Sequence, residues 1–264
     1  MSREELTRFV LTIHYDGGAF HGWQIQPDVR TVQGDLEAVI ERISGARRPV
    51  VGSGRTDTGV HATGQVAAVD LPSRWSARRL HRALNGLLED DVWIESVRPA
   101  PSRFHARYDA TRRTYRYRIG TSRLAASPFH RRWCWPLGEE LDLGRMRQAS
   151  DRLVGDHSFR AFAKTGQPER GDRCTVEEAA WDPWEDLGVS FTIRANRYLH
   201  HMVRYLVGTL VEVGLHRRPA SHLETLLDDP DTPLVTSPPA PPEGLVLALV
   251  EYPEEAFLTT TTET

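Results

Sequence analysis

Pro49-Val50-Val51-Gly52-Ser53-Gly54-Arg55-Thr56-Asp57-Thr58-Gly59-Val60-His61-Ala62 joins two apolar segments through a glycine-rich turn. Pro49-Val50-Val51 reads as the end of one strand and Gln65-Val66-Ala67-Ala68-Val69 as the start of the next. Glycines at 52, 54 and 59 let the chain turn tightly and approach closely whatever it binds. Asp57 lies inside the turn, two residues after Arg55, and a neighbouring cation favours the ionised carboxylate. Such an Asp has two readings. It bonds its own backbone to shape the turn, or it serves as a nucleophile or base.

Working outward, the two strands sit in the middle of a regular series. Phe9 to Tyr15 reads as a strand ended by Asp16-Gly17-Gly18. Thr31 caps a helix with apolar positions Val32, Leu36, Val39, Ile40 and Ile43, and Gly45 follows its end. Arg48 to Val51 and residues 65–71 are the strands around the Asp57 loop. Ser76 caps a second helix through Leu80, Ala83, Leu84 and Leu87, and Val92-Trp93-Ile94 opens another strand. The order is β-α-β-β-α-β, the split βαβ plan.

The second half repeats that order without repeating the sequence. Thr114 to Ile119 is a strand, Leu143 to Val154 a helix, 175–182 and 188–195 two strands. Tyr198 to Val213 is a helix with Leu199, Val203, Leu206, Val207 and Leu210 on its apolar face. Ser221 and Glu224 have the spacing of a capping box, and Leu245 to Val250 closes the series. The expected fold class is α+β: two ferredoxin-like (split βαβ) halves forming an extended, mostly antiparallel sheet around a basic cleft. The expected halves are 1–105, with the Asp57 loop, and 106–264, with a disordered tail over 259–264.

Composition narrows the chemistry. No apolar run approaches the ~20 residues of a membrane span, and Met1-Ser2-Arg3-Glu4-Glu5 lacks the apolar stretch of a secretory signal. Cys134 and Cys174 form no paired motif, which reads as a reduced, cytoplasmic setting. The histidines show no metal-ligand spacing; His200 and His201, on a helix, diverge by about 100°. The net charge is −3, yet residues 98–132 carry ten arginines against the single acid Asp109. Residues 221–264 carry nine acids and no Lys or Arg. An arginine density of that kind suits phosphate binding whatever the total charge.

Asp57-Thr58-Gly59 is also the tripeptide of aspartic proteases, where a single copy implies a dimer with one Asp per subunit. Arg55 and Thr56 argue against that reading, because a fixed cation would hold the carboxylate ionised where the dyad must share a proton. The longer string Gly54-Arg55-Thr56-Asp57-Thr58-Gly59-Val60-His61-Ala62 instead resembles the catalytic motif of the TruA family of tRNA pseudouridine synthases. Further matches follow in the family's order: Phe104-His105-Ala106-Arg107-Tyr108-Asp109-Ala110 with Thr114-Tyr115-Arg116-Tyr117, then Gly155-Asp156-His157-Ser158-Phe159. Tyr198-Leu199-His200-His201-Met202-Val203-Arg204 and Glu243-Gly244-Leu245-Val246-Leu247 complete them.

The resemblance implies a cofactor-free and metal-free isomerase acting on uridine at positions 38–40 of the tRNA anticodon arm, as a cytoplasmic homodimer. It implies Asp57 as the catalytic carboxylate, acting either at the sugar or at the base ring. It implies Tyr115 as the ring that stacks on the target base. Arg55 and Arg204 are then candidates to pair with Asp57 or with phosphate, and Leu245 to complete the base pocket. Arg107, Arg112, Arg113 and Arg116 are the candidate RNA contacts. Each has a plainer reading: Arg204 as a solvated helix residue, Tyr115 as one of the alternating aromatics of a strand, Leu245 as core. An RNA-binding module without activity would keep the arginines and dispense with Asp57; a peptidase would do the reverse.

Overall fold

The computed structural model describes residues 4–164, 171–229 and 232–258. The protein is mixed α+β, with sheets that are mostly antiparallel. It divides into two compact units, Met1–Thr111 with Leu247–Thr264, and Arg112–Val246.

The first unit follows the β-α-β-β-α-β order through β1 (Leu6–Tyr15), α1 (Val32–Ser44), β2 (Val51–Gly52), β3 (His61–Pro72), α2 (Ala77–Asn85) and β4 (Val92–Ala100). Strand β1 lies between β4 and β3, antiparallel to both, and β2 pairs with β3. Helix α1 starts where Thr31 accepts the Gly34 N–H at 3.2 Å and stops at Gly45, whose φ of 79° only glycine adopts cheaply. Its Val32, Leu36 and Ile40 are fully buried, as are Leu80 and Leu84 of α2. Each such burial is worth roughly 1.5–3 kcal/mol. The strand expected over Arg48–Val51 is shorter, only Val51–Gly52, because the paired register with Ala68 and Ala67 covers those two residues alone.

The unit is completed by a segment distant in sequence. The closing strand, Leu245–Glu251, lies beside β3, and Gly64 is so near it that a Cβ there would stand 2.2 Å from the Ala248 carbonyl oxygen. Thr111 N–H donates to Glu251 O at 2.9 Å, and Tyr252 O–H to Ala106 O at 2.6 Å. These bonds are why residues from Leu247 onward belong with the first unit, where the sequence reading divided the chain at 105/106 and put everything later in the second half. The expected disordered tail, 259–264, lies outside the described residues.

The second unit contains β5 (Arg112–Gly120), β6 (Trp135–Pro136), α3 (Leu143–Asp151), β7 (Gly155–Ser158), β8 (Arg173–Trp184), β9 (Gly188–Ala195), α4 (Met202–Gly214) and α5 (Ser221–Asp228). The closing strand is β10. Strands run in the order β5-β9-β8-β7, antiparallel throughout, with β6 parallel to β5. Of the expected β-α-β-β-α-β series this unit has β5, α3, β8, β9 and α4, with β6 and β7 inserted, while most of the closing strand belongs with the first unit. Trp181 packs on Phe191, ring centroids 4.7 Å apart, and its indole N–H donates to Ser150 Oγ at 2.8 Å.

Four helix readings differ from the expectation. Helix α2 ends at Asn85, with Gly86 as its cap, so Leu87 lies beyond it. Helix α3 ends at Asp151 rather than Val154, because the chain turns there into β7. Helix α4 starts at Met202 rather than Tyr198, because His201 sits at φ 64° and caps the helix instead of continuing it. Ser221 and Glu224 form no capping box: Ser221 is already helical, and Ala220, the cap, makes no side-chain capping bond.

Candidate active site

The Asp57 loop hangs between β2 and β3 and is held from several directions. Ser53 N–H donates to Val66 O at 2.7 Å, extending the β2–β3 pairing by one residue. Trp23 N–H donates to Thr56 O at 3.1 Å, Gly59 N–H to Phe20 O at 3.3 Å, and Val60 N–H to Asp57 O at 3.1 Å. The segment after β1 packs on the loop through glycines. A Cβ at Gly17 would stand 2.1 Å from Val60 O, and one at Gly22, whose φ is 88°, 2.5 Å from Thr56 O. Gly52 lies against the Trp23 indole, 2.5 Å from a notional Cβ. Close backbone approach is the reason for glycine at these positions.

Side chains underneath the loop complete its support. Tyr15 O–H and Thr56 Oγ1 are 2.7 Å apart. Ser53 Oγ–H donates to Gln65 Oε1 at 2.7 Å, and Gln65 Nε2 donates to Gly54 O at 3.1 Å. Gly17 N–H donates to His61 Nδ1 at 2.9 Å. Tyr15, Ser53, Thr56, His61 and Gln65 are all buried, and burial pushes the Tyr15 phenol up to about 12. Above them Arg55 is exposed and Asp57 half-buried. The loop thus presents its guanidinium and its carboxylate, with Thr58 exposed beside them, while burying Ser53 and Thr56. Thr56 and His61 stand inside the motif at 54–62, yet the sequence assigns no supporting role to any of these side chains. Outside the motif the local signal is a polar side chain at a buried position, Gln65 within an otherwise apolar strand and Tyr15 just before Asp16-Gly17-Gly18.

The other candidates lie on the second unit, apart from Arg107. Arg112, Arg113, Tyr115 and Arg116 share β5, where Tyr115 is half-buried and Arg116 exposed. The Tyr115 ring meets Tyr198 edge to face at 4.9 Å. Tyr198 in turn donates its hydroxyl to Ile193 O at 2.9 Å and Arg113 O at 3.1 Å, and burial holds its phenol well above the usual range. So Tyr115 is not simply core; it leans on a fixed ring and keeps part of its surface open. Arg204 on α4 donates Nε–H to Ala240 O at 2.7 Å while Ala240 N–H donates to Arg204 O at 2.9 Å. That double tie replaces the solvated-helix reading. In the same loop Gly244 lies against the Tyr117 ring, and Leu245 after it is buried, 5% exposed.

The arginines differ in partners and exposure: Arg107 lies over the Tyr108 ring at 5.9 Å and Arg132 over the Trp133 ring at 5.7 Å. Arg98 stacks on Phe257 at 3.5 Å, Arg118 lies over Trp184 at 5.2 Å, and burial lowers both pKa values. Arg103 donates to Glu255 O and Leu258 O, both at 2.8 Å. Arg112 is bonded to Glu177, and Arg113 donates to Asn196 O at 3.1 Å. Arg107, Arg116, Arg123, Arg131 and Arg132 are exposed. His200 and His201 do not diverge as helical neighbours would: the His201 turn brings their rings to 4.2 Å.

Among the described residues, no helix is long and apolar enough to cross a membrane. The family profile described as tRNA pseudouridine synthase matches residues 11–109 and 149–253. A protein of Myxococcus xanthus called tRNA pseudouridine synthase A is 39% identical over 247 residues, covering 94% of this chain and 92% of that one. One of the same description from Moorella thermoacetica is 39% identical over 245 residues, covering 92% of this chain and 98% of its own. Among solved structures, a chain of the archaeal box H/ACA sRNP Nop10–Cbf5 complex aligns at a TM-score of 0.33 and 12% identity, over 81% of this chain and 54% of that chain.

Proposed function

Because this chain belongs to the tRNA pseudouridine synthase family, we propose that it isomerises uridine to pseudouridine in the anticodon arm of tRNA, at positions 38–40, with Asp57 as the reacting carboxylate. The reaction breaks the bond from ribose C1′ to N1 of uracil, turns the base, and joins C1′ to C5. The C5 proton leaves and N1 gains one, so atoms and charge balance with no oxidant. A carboxylate on a fixed loop beside an exposed cation suits either attack at the sugar or addition to the base ring.

One observation carries the reading: the loop exposes Arg55 and leaves Asp57 half-exposed while burying Ser53 and Thr56 beneath them. A turn whose Asp merely closed its own backbone would not need that support. Tyr115 is assigned to stacking on the extruded base, because its ring is braced by Tyr198 and half-open. Arg55 and Arg204 are assigned to the carboxylate or to phosphate, and Leu245 to an apolar wall of the base pocket. Arg107 and Arg116, both exposed, are the favoured phosphate contacts, with Arg112 and Arg113 secondary. We further propose a cytoplasmic homodimer, which rests on the family likeness.

The test is incubation with unmodified tRNA, followed by chemical labelling specific for pseudouridine, since the product has the mass of the substrate. Label confined to the anticodon arm supports the proposal. Binding without product would favour an RNA-binding module instead.

A further inference from the structure

We infer that Tyr15 and Gln65 are positioning residues for the reaction: from beneath the loop, they fix the backbone that presents Arg55 and Asp57. The inference rests on the reading of Asp57 as the reacting carboxylate. Three of the four residues preceding Asp57 are held by these two side chains. Ser53 gives its hydroxyl proton to Gln65 Oε1 at 2.7 Å, Gly54 O takes one from Gln65 Nε2 at 3.1 Å, and Thr56 Oγ1 meets the Tyr15 hydroxyl at 2.7 Å. Gln65 Nε2 also reaches Tyr15 Oη at 3.5 Å, which links the two halves of the frame. Its Oε1 accepts a second proton, from Val66 N–H at 3.1 Å.

Tyr15, Ser53, Thr56 and Gln65 are 4%, 1%, 6% and 0% exposed. Polar groups buried to that degree destabilise the fold unless each finds a partner, so the frame is specific in its geometry. A hairpin connection needs only backbone bonds, and this loop already has them from Trp23, Phe20 and Val66. The added side-chain frame over-determines residues 53–56. That is the arrangement expected where a reacting group must be held before substrate arrives. Tyr15 stays anchored without its hydroxyl, since its ring packs against Phe20 at 6.5 Å and Trp23 at 6.3 Å.

Tyr15→Phe, Gln65→Met, Thr56→Val and the Tyr15→Phe/Thr56→Val double variant test this, with Thr56→Ser as the conservative control. Single-turnover rate at saturating tRNA, tRNA Kd, thermal midpoint and amide exchange of 54–59 without RNA are measured on each. Each single variant should slow turnover by about 10-fold or more, with Kd within about two-fold and exchange of 54–59 accelerated. The double variant should be no slower than the slower single, because both act through one contact, and Thr56→Ser should restore the rate. Wild-type rate in Tyr15→Phe, multiplying losses in the double variant, or unchanged exchange would overturn the assignment. If the wild type forms no pseudouridine, the functional reading falls, and exchange alone decides whether the frame holds the loop.

Discussion

Arg112 is bound to Glu177 through Nε, 2.7 and 2.6 Å from the two carboxylate oxygens. Arg194 approaches the same carboxylate at 3.4 Å, and the Arg112 bond holds Glu177 below the usual carboxylate range. An arginine so engaged has to give up a protein partner before it can neutralise phosphate.

The salt dependence of tRNA binding should reflect this. Each phosphate contact adds about 0.7 to 0.9 to the log–log slope. Arg116→Gln should flatten it by about that amount, whereas Arg112→Gln should flatten it by clearly less. Glu177→Gln should release Arg112 and steepen the slope. Filter binding across a salt series reads all three; equal slopes for Arg112→Gln and Arg116→Gln would refute the distinction.

Asp57→Asn should lower single-turnover rate by more than about 100-fold with tRNA affinity within a few-fold, because the change removes the reacting oxygen's charge and leaves the loop frame in place. Retained turnover in this variant would end the catalytic assignment.

Tyr115→Phe should bind tRNA as the wild type does, since the ring and its edge contact with Tyr198 remain. Tyr115→Ala should lose roughly 1–3 kcal/mol of binding, the worth of one stacked base. Matching affinities for the two variants would remove the stacking role.

Gly22→Ala tests the packing that supports the loop. Its φ of 88° and the 2.5 Å approach to Thr56 O leave no room for a Cβ. The variant should lose about 1–3 kcal/mol of stability, read as a lower urea midpoint at unchanged m-value.

High pH should unfold the protein cooperatively. Burial raises Cys174 from 9.0 to about 11 and Tyr15 from 10.0 to about 12. Both groups are neutral in the folded state where the unfolded chain would ionise. Their contribution is therefore full below pH 9 and lost as pH climbs through about 11 and 12, on the order of 2–3 kcal/mol each. Urea titrations between pH 8 and 11 should show that decline, and a thiol reagent at pH 8 should reach Cys174 only after denaturation.

What sequence alone reveals here follows the range of each interaction. Thr31 and Gly45 delimit α1 as read, because a cap and a left-handed glycine act within one turn of the helix. Ser221 and Glu224 mislead, because the capping spacing also occurs one residue inside a helix. His201 hides the true start of α4, since a positive φ at a non-glycine residue leaves no mark in periodicity. Asp57, Arg55 and Tyr115 stand out as candidates through the motifs that hold them. The frame beneath the Asp57 loop does not, because Tyr15 and Thr56 are joined across forty intervening positions and only the sheet brings them together.

The strand beside β3 has a consequence for biogenesis. Leu247–Glu251 leave the ribosome only after the whole of the intervening unit has been made. Until then the partner edge of β3 around Gly64 stays open, an unpaired sheet edge of the kind that recruits chaperones or pairs wrongly. The nascent first unit can collapse early yet cannot mature until late. A ribosome stalled short of Leu247 should therefore display a protease-sensitive intermediate whose hairpin already carries the Asp57 loop.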